Sequence, residues 1–280
     1  DVVKEEKRLR IDNQPYMSFQ TEMFGRAFSK SYYEIPPIGT LEDLNAAEIG
    51  DFEDFYNTFY VPNNATLSIA GDIDPDETLE LIKKYFGTIP KGTQEIPRPD
   101  QKPEPLDGEV VDTIYDNIQL PGLFVGYRSP EQGTKEAYAM DMLAKVLSDG
   151  QSSRLYKTVV DEKQLGLTVQ AFPFNLENSG LFITFGIVNQ EVPLKDFTQA
   201  INQEMAKIRE NKISQYEYTK VLNQLENDFV SQVSSMAGIA ENLANYQVYY
   251  GDASLINNVI EEYRTIDRAF LQEVAQKYLQ

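Results

Sequence analysis

The stretch VVKEEKR (residues 2–8) sets two adjacent glutamates, Glu5 and Glu6, among charged and apolar residues at helical spacing. Neighbouring residues of a helix point about 100° apart, so the two carboxylates face different directions. A carboxylate placed this way can ligate a metal, move a proton or form an ion pair. Arg10 lies four residues after Glu6, at the spacing where a helical ion pair forms. The residue types missing from the chain narrow the choice, because none of its 280 residues is Cys or His. Thiol nucleophiles, thiolate metal sites, disulfides, Ser-His-Asp triads and His-containing zinc sites are therefore excluded from these residues. Chemistry carried by this chain alone has to use carboxylates, Lys or Tyr.

Other motifs read as structure. DIDPDE (72–77) places acids at positions 1, 3 and 5 of a calcium loop, but Glu77 stands where the loop needs Gly and Lys83 where it needs Glu. Asp74 and Asp76 are better read as acids at a helix N-terminus. SDGQSSRL (148–155) is rich in Gly and Ser before a helix, without the Gly and Lys spacing of a phosphate cradle. It reads as a turn with Ser152 or Ser153 as N-cap. Phe52, Phe55 and Phe59 recur at helical spacing and are assigned to packing.

Composition bounds the class. Hydrophobic residues are 41% and charged residues 25%, as in an ordinary globular protein long enough for two domains. No apolar run approaches the length of a membrane span. The net charge of -19 argues against nucleic acid and anionic membrane surfaces, and tolerates a basic or neutral peptide.

The elements that must position these residues follow from periodicity. Helices are predicted at 1–13, from Phe19 to Phe28, at 46–60 and after Asp74-Pro75 up to Gly87. A strand is predicted at 65–71. Residues 88–108 carry five prolines with few apolar residues, and the domain boundary is placed there. Beyond it come predicted strands at 109–115, 122–128, 167–174 and 181–188, and helices at 135–148 and 153–163. Four more helices follow, near 193–210, 214–233, 235–249 and 266–279. Strands and helices in blocks predict an α+β class.

The halves resemble each other. LEDLNAAEIGDFEDFYNTFY (41–60) and EEYRTIDRAFLQEVAQKYLQ (261–280) share an acidic start, apolar residues at helical spacing and a closing Tyr. The helix at 1–13 has a counterpart at 214–233. As a tandem duplication, the second copy holds roughly 100 residues between linker and helix where the first has none. The expectation is a first domain whose front lies outside the chain, leaving apolar surface for a second copy or another chain to cover. Chance likeness of amphipathic helices is the alternative.

These ordered pieces, VVKEEKR, the run PPIGTLEDLNAAEIGDFEDFYNTFYVPNNATLSIAGDID (36–74), LIKKYFG (81–87), the proline-rich linker and LSDGQSSRLYKTVVDEKQLGL (147–167), resemble the insulinase or pitrilysin type of zinc metallopeptidase, the mitochondrial-processing-peptidase-like family. The likeness is to bacterial two-domain subunits. It implies two tandem related metallohydrolase-type domains, each an antiparallel-rich sheet with helices packed on one face, the first incomplete. The parts are residues 1–92, a linker at 93–108 and residues 109–280. It also implies zinc held by an inverted His-x-x-Glu-His motif and a downstream Glu, with the motif's Glu as general base. Glu6 matches the downstream metal ligand. The motif would precede residue 1, so zinc and catalytic residues are expected in the full-length parent and not in this chain. The family's substrate-binding Arg and Tyr would fall at Val160 and Leu167, and neither matches.

Three readings follow. The first is a fragment of a zinc endopeptidase subunit, inactive alone, working on peptides with a homologous partner subunit or as a homodimer. The second is a non-catalytic scaffold or peptide-binding subunit of the same family. The third is a carboxylate-based hydrolase, which lacks an acid pair in a setting that would split its pKa values. For the parent, the resemblance makes a periplasmic or envelope location plausible.

Overall fold

The computed structural model describes residues 1–99 and 102–280; Asp100 and Gln101, inside the predicted linker, lie outside the described residues. The elements in chain order are α1 (Val2–Lys7), continued as a π-helical turn over Arg8–Asp12, α2 (Ser18–Ala27), α3 (Leu41–Ala46), α4 (Ile49–Phe59) and α5 (Pro75–Phe86). Then come β1 (Gly122–Ser129), α6 (Lys135–Ser148), a π-helical segment at Tyr156–Glu162, β2 (Gly166–Asn175) and β3 (Gly180–Val188). The chain continues through α7 (Leu194–Glu210), α8 (Gln215–Gln232), α9 (Met236–Tyr250), α10 (Val259–Arg264) and α11 (Arg268–Tyr278).

The chain forms two compact units. One is assembled from Asp1–Leu41, Gln101–Gln224 and Glu261–Gln280, the other from Glu42–Asp100 and Leu225–Ile260. Each unit draws segments from both sides of the proline-rich stretch.

The larger unit is built on an antiparallel sheet of order β1-β3-β2. Its central strand, LFITFGIV, is apolar at nearly every position because both faces are covered. On one face Leu181 and Ile183 pack with Phe24 of α2, with Phe28 just after it, and with Phe172 and Phe174 of β2. Phe19 stacks on Phe124 at 4.2 Å, and Phe124 on Phe185 at 4.7 Å. On the other face α6 buries Met140, Leu143, Ala144 and Leu147, α11 adds Leu271 and Val274, and α7 adds Phe197 and Ile201. Gly166 and Gly186 make room for Phe197: a Cβ on Gly186 would sit 2.4 Å from its Cζ, and one on Gly166 2.5 Å from its Cε2.

The smaller unit is held more by capping and polar loops than by a core. Asp74 Oδ1 accepts from the backbone N–H of Asp76 and of Glu77, as its place before Pro75 predicts. Glu48 and Asp51 close a capping box on α4. Asn63 Oδ1 accepts from Gly92 N at 2.8 Å, and Asn64 Oδ1 from Arg98 at 2.6 Å.

Two expectations are corrected here. The aromatic stripe of α4 does not pack: Phe52 is 61% and Phe55 57% exposed. Residues 65–70 and 109–115 are not strands among the described residues. Alternating apolar residues mark one face of a strand, but a strand exists only where a neighbour completes its ladder, and the only pairings are β1 with β3 and β2 with β3 among the described residues.

Filling the slot beside Phe197 tests the packing. Gly186→Ala is expected to cost roughly 1–3 kcal/mol through overpacking, read as a lower urea midpoint with an unchanged slope. Phe197→Leu in the same chain should recover part of the loss. An unchanged midpoint in the single variant would refute the close approach.

Candidate functional site

Glu6 and Glu5 diverge on α1. Glu6 Oε1 lies 3.2 Å from Arg10 Nε, with its side chain 45% exposed. Glu5 Oε2 lies 3.5 Å from an Arg8 amino group. Lys7 turns inward to Asp12 at 2.5 Å, across the π-helical turn. The helix and its extension are tied to the sheet unit through Tyr16, whose hydroxyl donates to Leu120 O at 2.8 Å just ahead of β1. Tyr16 has φ 68°, a left-handed conformation that a bulky residue adopts only when its surroundings fix it.

Among the described residues no three His, Cys, Asp or Glu side chains converge as a metal site. Zinc takes about four donors in a tetrahedron. One carboxylate paired to an arginine falls short of that requirement. The other two positions implied by the resemblance are also plain: Val160 lies in the π-helical segment, and Leu167 is an exposed residue of β2.

The loop SDGQSSR has built partners instead. Ser153 Oγ turns back and donates to Gly150 O at 2.6 Å, while Ser153 O accepts from Lys157 N at 3.0 Å as the following helix opens. Ser152 Oγ accepts from Lys220 of α8 at 2.8 Å. Next to it Arg154 forks onto Glu217, with Nε to Oε1 at 2.6 Å and Nη2 to Oε2 at 3.0 Å. Glu217 also accepts from the backbone N–H and hydroxyl of Ser214, both at 2.8 Å. Burial alone would raise the Glu217 carboxyl. The hydrogen bonds from Arg154 and Ser214 outweigh it and hold the group at about 2.

A third carboxylate, Asp141 on α6, faces α10 and β2. Tyr263 donates to Oδ2 at 2.9 Å and Asn175 Nδ2 to Oδ1 at 3.2 Å. Here desolvation wins over those hydrogen bonds and over Lys145, and the carboxyl is raised to about 6.

The sequence held a signal for each of these two carboxylates. Ser214-x-x-Glu217 is a capping-box pattern opening α8, though its second partner, Arg154, is 63 residues away. A lone aspartate in the apolar helix AYAMDMLAKVL was the signal for Asp141, since unpaired acids are rarely buried.

Comparison with known proteins decides the family. The family model described as the peptidase M16 inactive domain matches residues 47–225. The chain belongs to the peptidase M16 family. The M16 chain is similar to the zinc protease PqqE of Helicobacter pylori, 28% identical over 272 residues, covering 96% of this chain and 60% of that protein. It is 20% identical over 255 residues to a probable mitochondrial-processing peptidase subunit beta of Arabidopsis thaliana, covering 86% of this chain and 47% of that one. A crystal structure of a protease from Helicobacter pylori superposes with TM-score 0.93 at 28% identity, covering all of this chain and 67% of that one. The chain thus spans about 60% of the PqqE length, and the fold is that of M16 peptidases, mixed helix and antiparallel sheet as its pattern predicts.

The pH response of the Arg154–Glu217 fork follows from its sign. A carboxyl depressed by folding gives stability that is whole above its unfolded value and is lost as pH falls through the folded one. Wild-type stability is expected to drop between pH 4.5 and about 2. Glu217→Gln should lose about 2 kcal/mol at neutral pH and flatten that acid limb. An acid limb of equal slope in the variant, by chemical denaturation at stepped pH, would rule the fork out as its cause.

Proposed function

We propose that this chain is the supporting portion of a zinc-dependent M16 endopeptidase subunit, whose reaction centre is completed by residues the chain does not supply. The observation that carries it is family membership through the inactive domain in a chain with no His and a single matched ligand position, Glu6. Peptide hydrolysis, and zinc, belong in this reading to the parent protein. Glu6 is the chain's own contribution to the zinc site, and its ion pair with Arg10 has to open for it to serve. The tandem arrangement of 1–92 and 109–280 about the linker at 93–108 belongs to the same reading. That relatives are named zinc proteases, one of them a processing-peptidase subunit, supports it.

The second reading, a scaffold or peptide-binding subunit that never held zinc, is favoured by one observation. Glu6 lies outside the matched residues 47–225 and already has an arginine partner. The two separate in the polypeptide of the full reading frame. The first reading expects stoichiometric zinc by metal analysis, lowered at least tenfold in affinity by Glu6→Gln. Zinc content indifferent to Glu6 leaves the second.

The open face of the smaller unit supports a partner. Ile49, Phe52 and Tyr56 line one side of α4 and Tyr60 follows its end, all more than half exposed. An apolar strip of this kind on a soluble chain marks an interface. We expect the 280-residue chain to self-associate in light scattering. Phe52→Lys with Tyr56→Lys should return it to a monomer with unchanged circular dichroism. A wild-type monomer would remove the homodimer from the reading.

A further inference from the structure

We propose that Asp141, Asn175 and Tyr263 form a proton-operated latch that fastens α10 onto α6 and the end of β2. Three features of the geometry carry this. Asp141 is partly buried and reaches both neighbours, through Oδ2 to Tyr263 Oη at 2.9 Å and through Oδ1 to Asn175 Nδ2 at 3.2 Å. Asn175 Oδ1 is buried and has no hydrogen-bond partner, so turning that amide over would bring an unused acceptor to the carboxyl. Tyr263 is seated rather than free to swing, since its ring meets Tyr138 edge-on at 5.0 Å between centroids.

The proton resolves the unused acceptor. An ionised Asp141 only accepts, and takes one hydrogen bond from each neighbour. A neutral carboxyl carries one O–H, which can donate to Asn175 Oδ1 once that amide turns over, while the remaining oxygen still accepts from Tyr263. Both states keep two hydrogen bonds, but the neutral one carries no desolvated charge. The groups facing Asp141 are Tyr263 from α10, Asn175 from β2, and Lys145 one turn along α6, whose ammonium also bonds Asp149 at 2.9 Å.

The sign is opposite to that of Glu217. When α10 opens, Asp141 returns to water and to an ordinary carboxylate value; when α10 closes, desolvation raises it to about 6. A proton therefore favours the closed latch. The latch is tightest in mild acid and loosens as pH rises through about 6. The position gives the latch its role: the chain re-enters the larger unit at Glu261, two residues before Tyr263, so the latch holds the returning segment.

The test follows the Asp141 carboxyl carbon by NMR in the whole 280-residue chain, with amide exchange across Val259–Arg264. The expected midpoint is about 6. Protection of α10, corrected for the intrinsic exchange rate, should fall by up to about a hundredfold from pH 4 to pH 7, the equivalent of a two-unit shift. Asp141→Asn, neutral throughout, should hold protection constant over that range. Tyr263→Phe keeps the ring contact and should move the Asp141 midpoint upward, because the hydroxyl favours the ionised form. An Asp141 midpoint near 4, the ordinary value, or wild-type protection of α10 independent of pH, would overturn the proposal.

Discussion

Strand β3 is the constraint on which the larger unit depends. A strand buried on both faces has to be apolar at consecutive positions, and Leu181, Phe182 and Ile183 are each almost wholly removed from water. One face commits α2 to the sheet, the other commits α6, α7 and α11. Because these helices come from three separated stretches of chain, the strand is where distant sequence is made to agree. The two glycines beside Phe197 show how close that agreement is, since one added methyl group meets an aromatic ring.

Much of this was legible in the sequence where local rules suffice. Apolar runs bounded by Gly gave β2 and β3 within a residue or two. Asp74 before Pro75 starts a helix as its side chain dictates. The reading failed where the deciding partner is distant. Residues 65–70 and 109–115 have strand-like alternation, but alternation does not supply the neighbouring strand. The aromatic spacing of α4 was correct as periodicity, and periodicity cannot tell what covers a face. Ser153 stands directly before the helix, as read, but its hydroxyl turns back to Gly150. Family likeness supplied Glu6 as a candidate; the residues around it supply only Arg10.

Three carboxylates on helices meet three fates through their surroundings alone. Glu6 stays near water with a flexible arginine, a geometry in which pairing contributes little. Glu217 receives a planar guanidinium and a capping serine, whose hydrogen bonds outweigh the burial that disfavours its charge. Asp141 receives a phenol and an amide, too little to offset the water it loses. Between the two carboxylates that lose water, four donors on Glu217 against two on Asp141 set the direction in which each is pushed.

The interleaving of the two units has a consequence for synthesis on the ribosome. The chain leaves the larger unit after Leu41, returns, leaves again after Gln224 and returns at Glu261. Asp141 waits 122 residues for Tyr263, and Arg209 waits 70 for the Leu279 carbonyl it binds. The sheet and α6 are therefore translated well before the helix that covers them on that side. At the usual pace of elongation the nascent sheet spends several seconds or more partly uncovered. Closure over such long separations is also intrinsically slow. A growing chain of this design exposes an apolar sheet face for that interval, which is when a chaperone would find it.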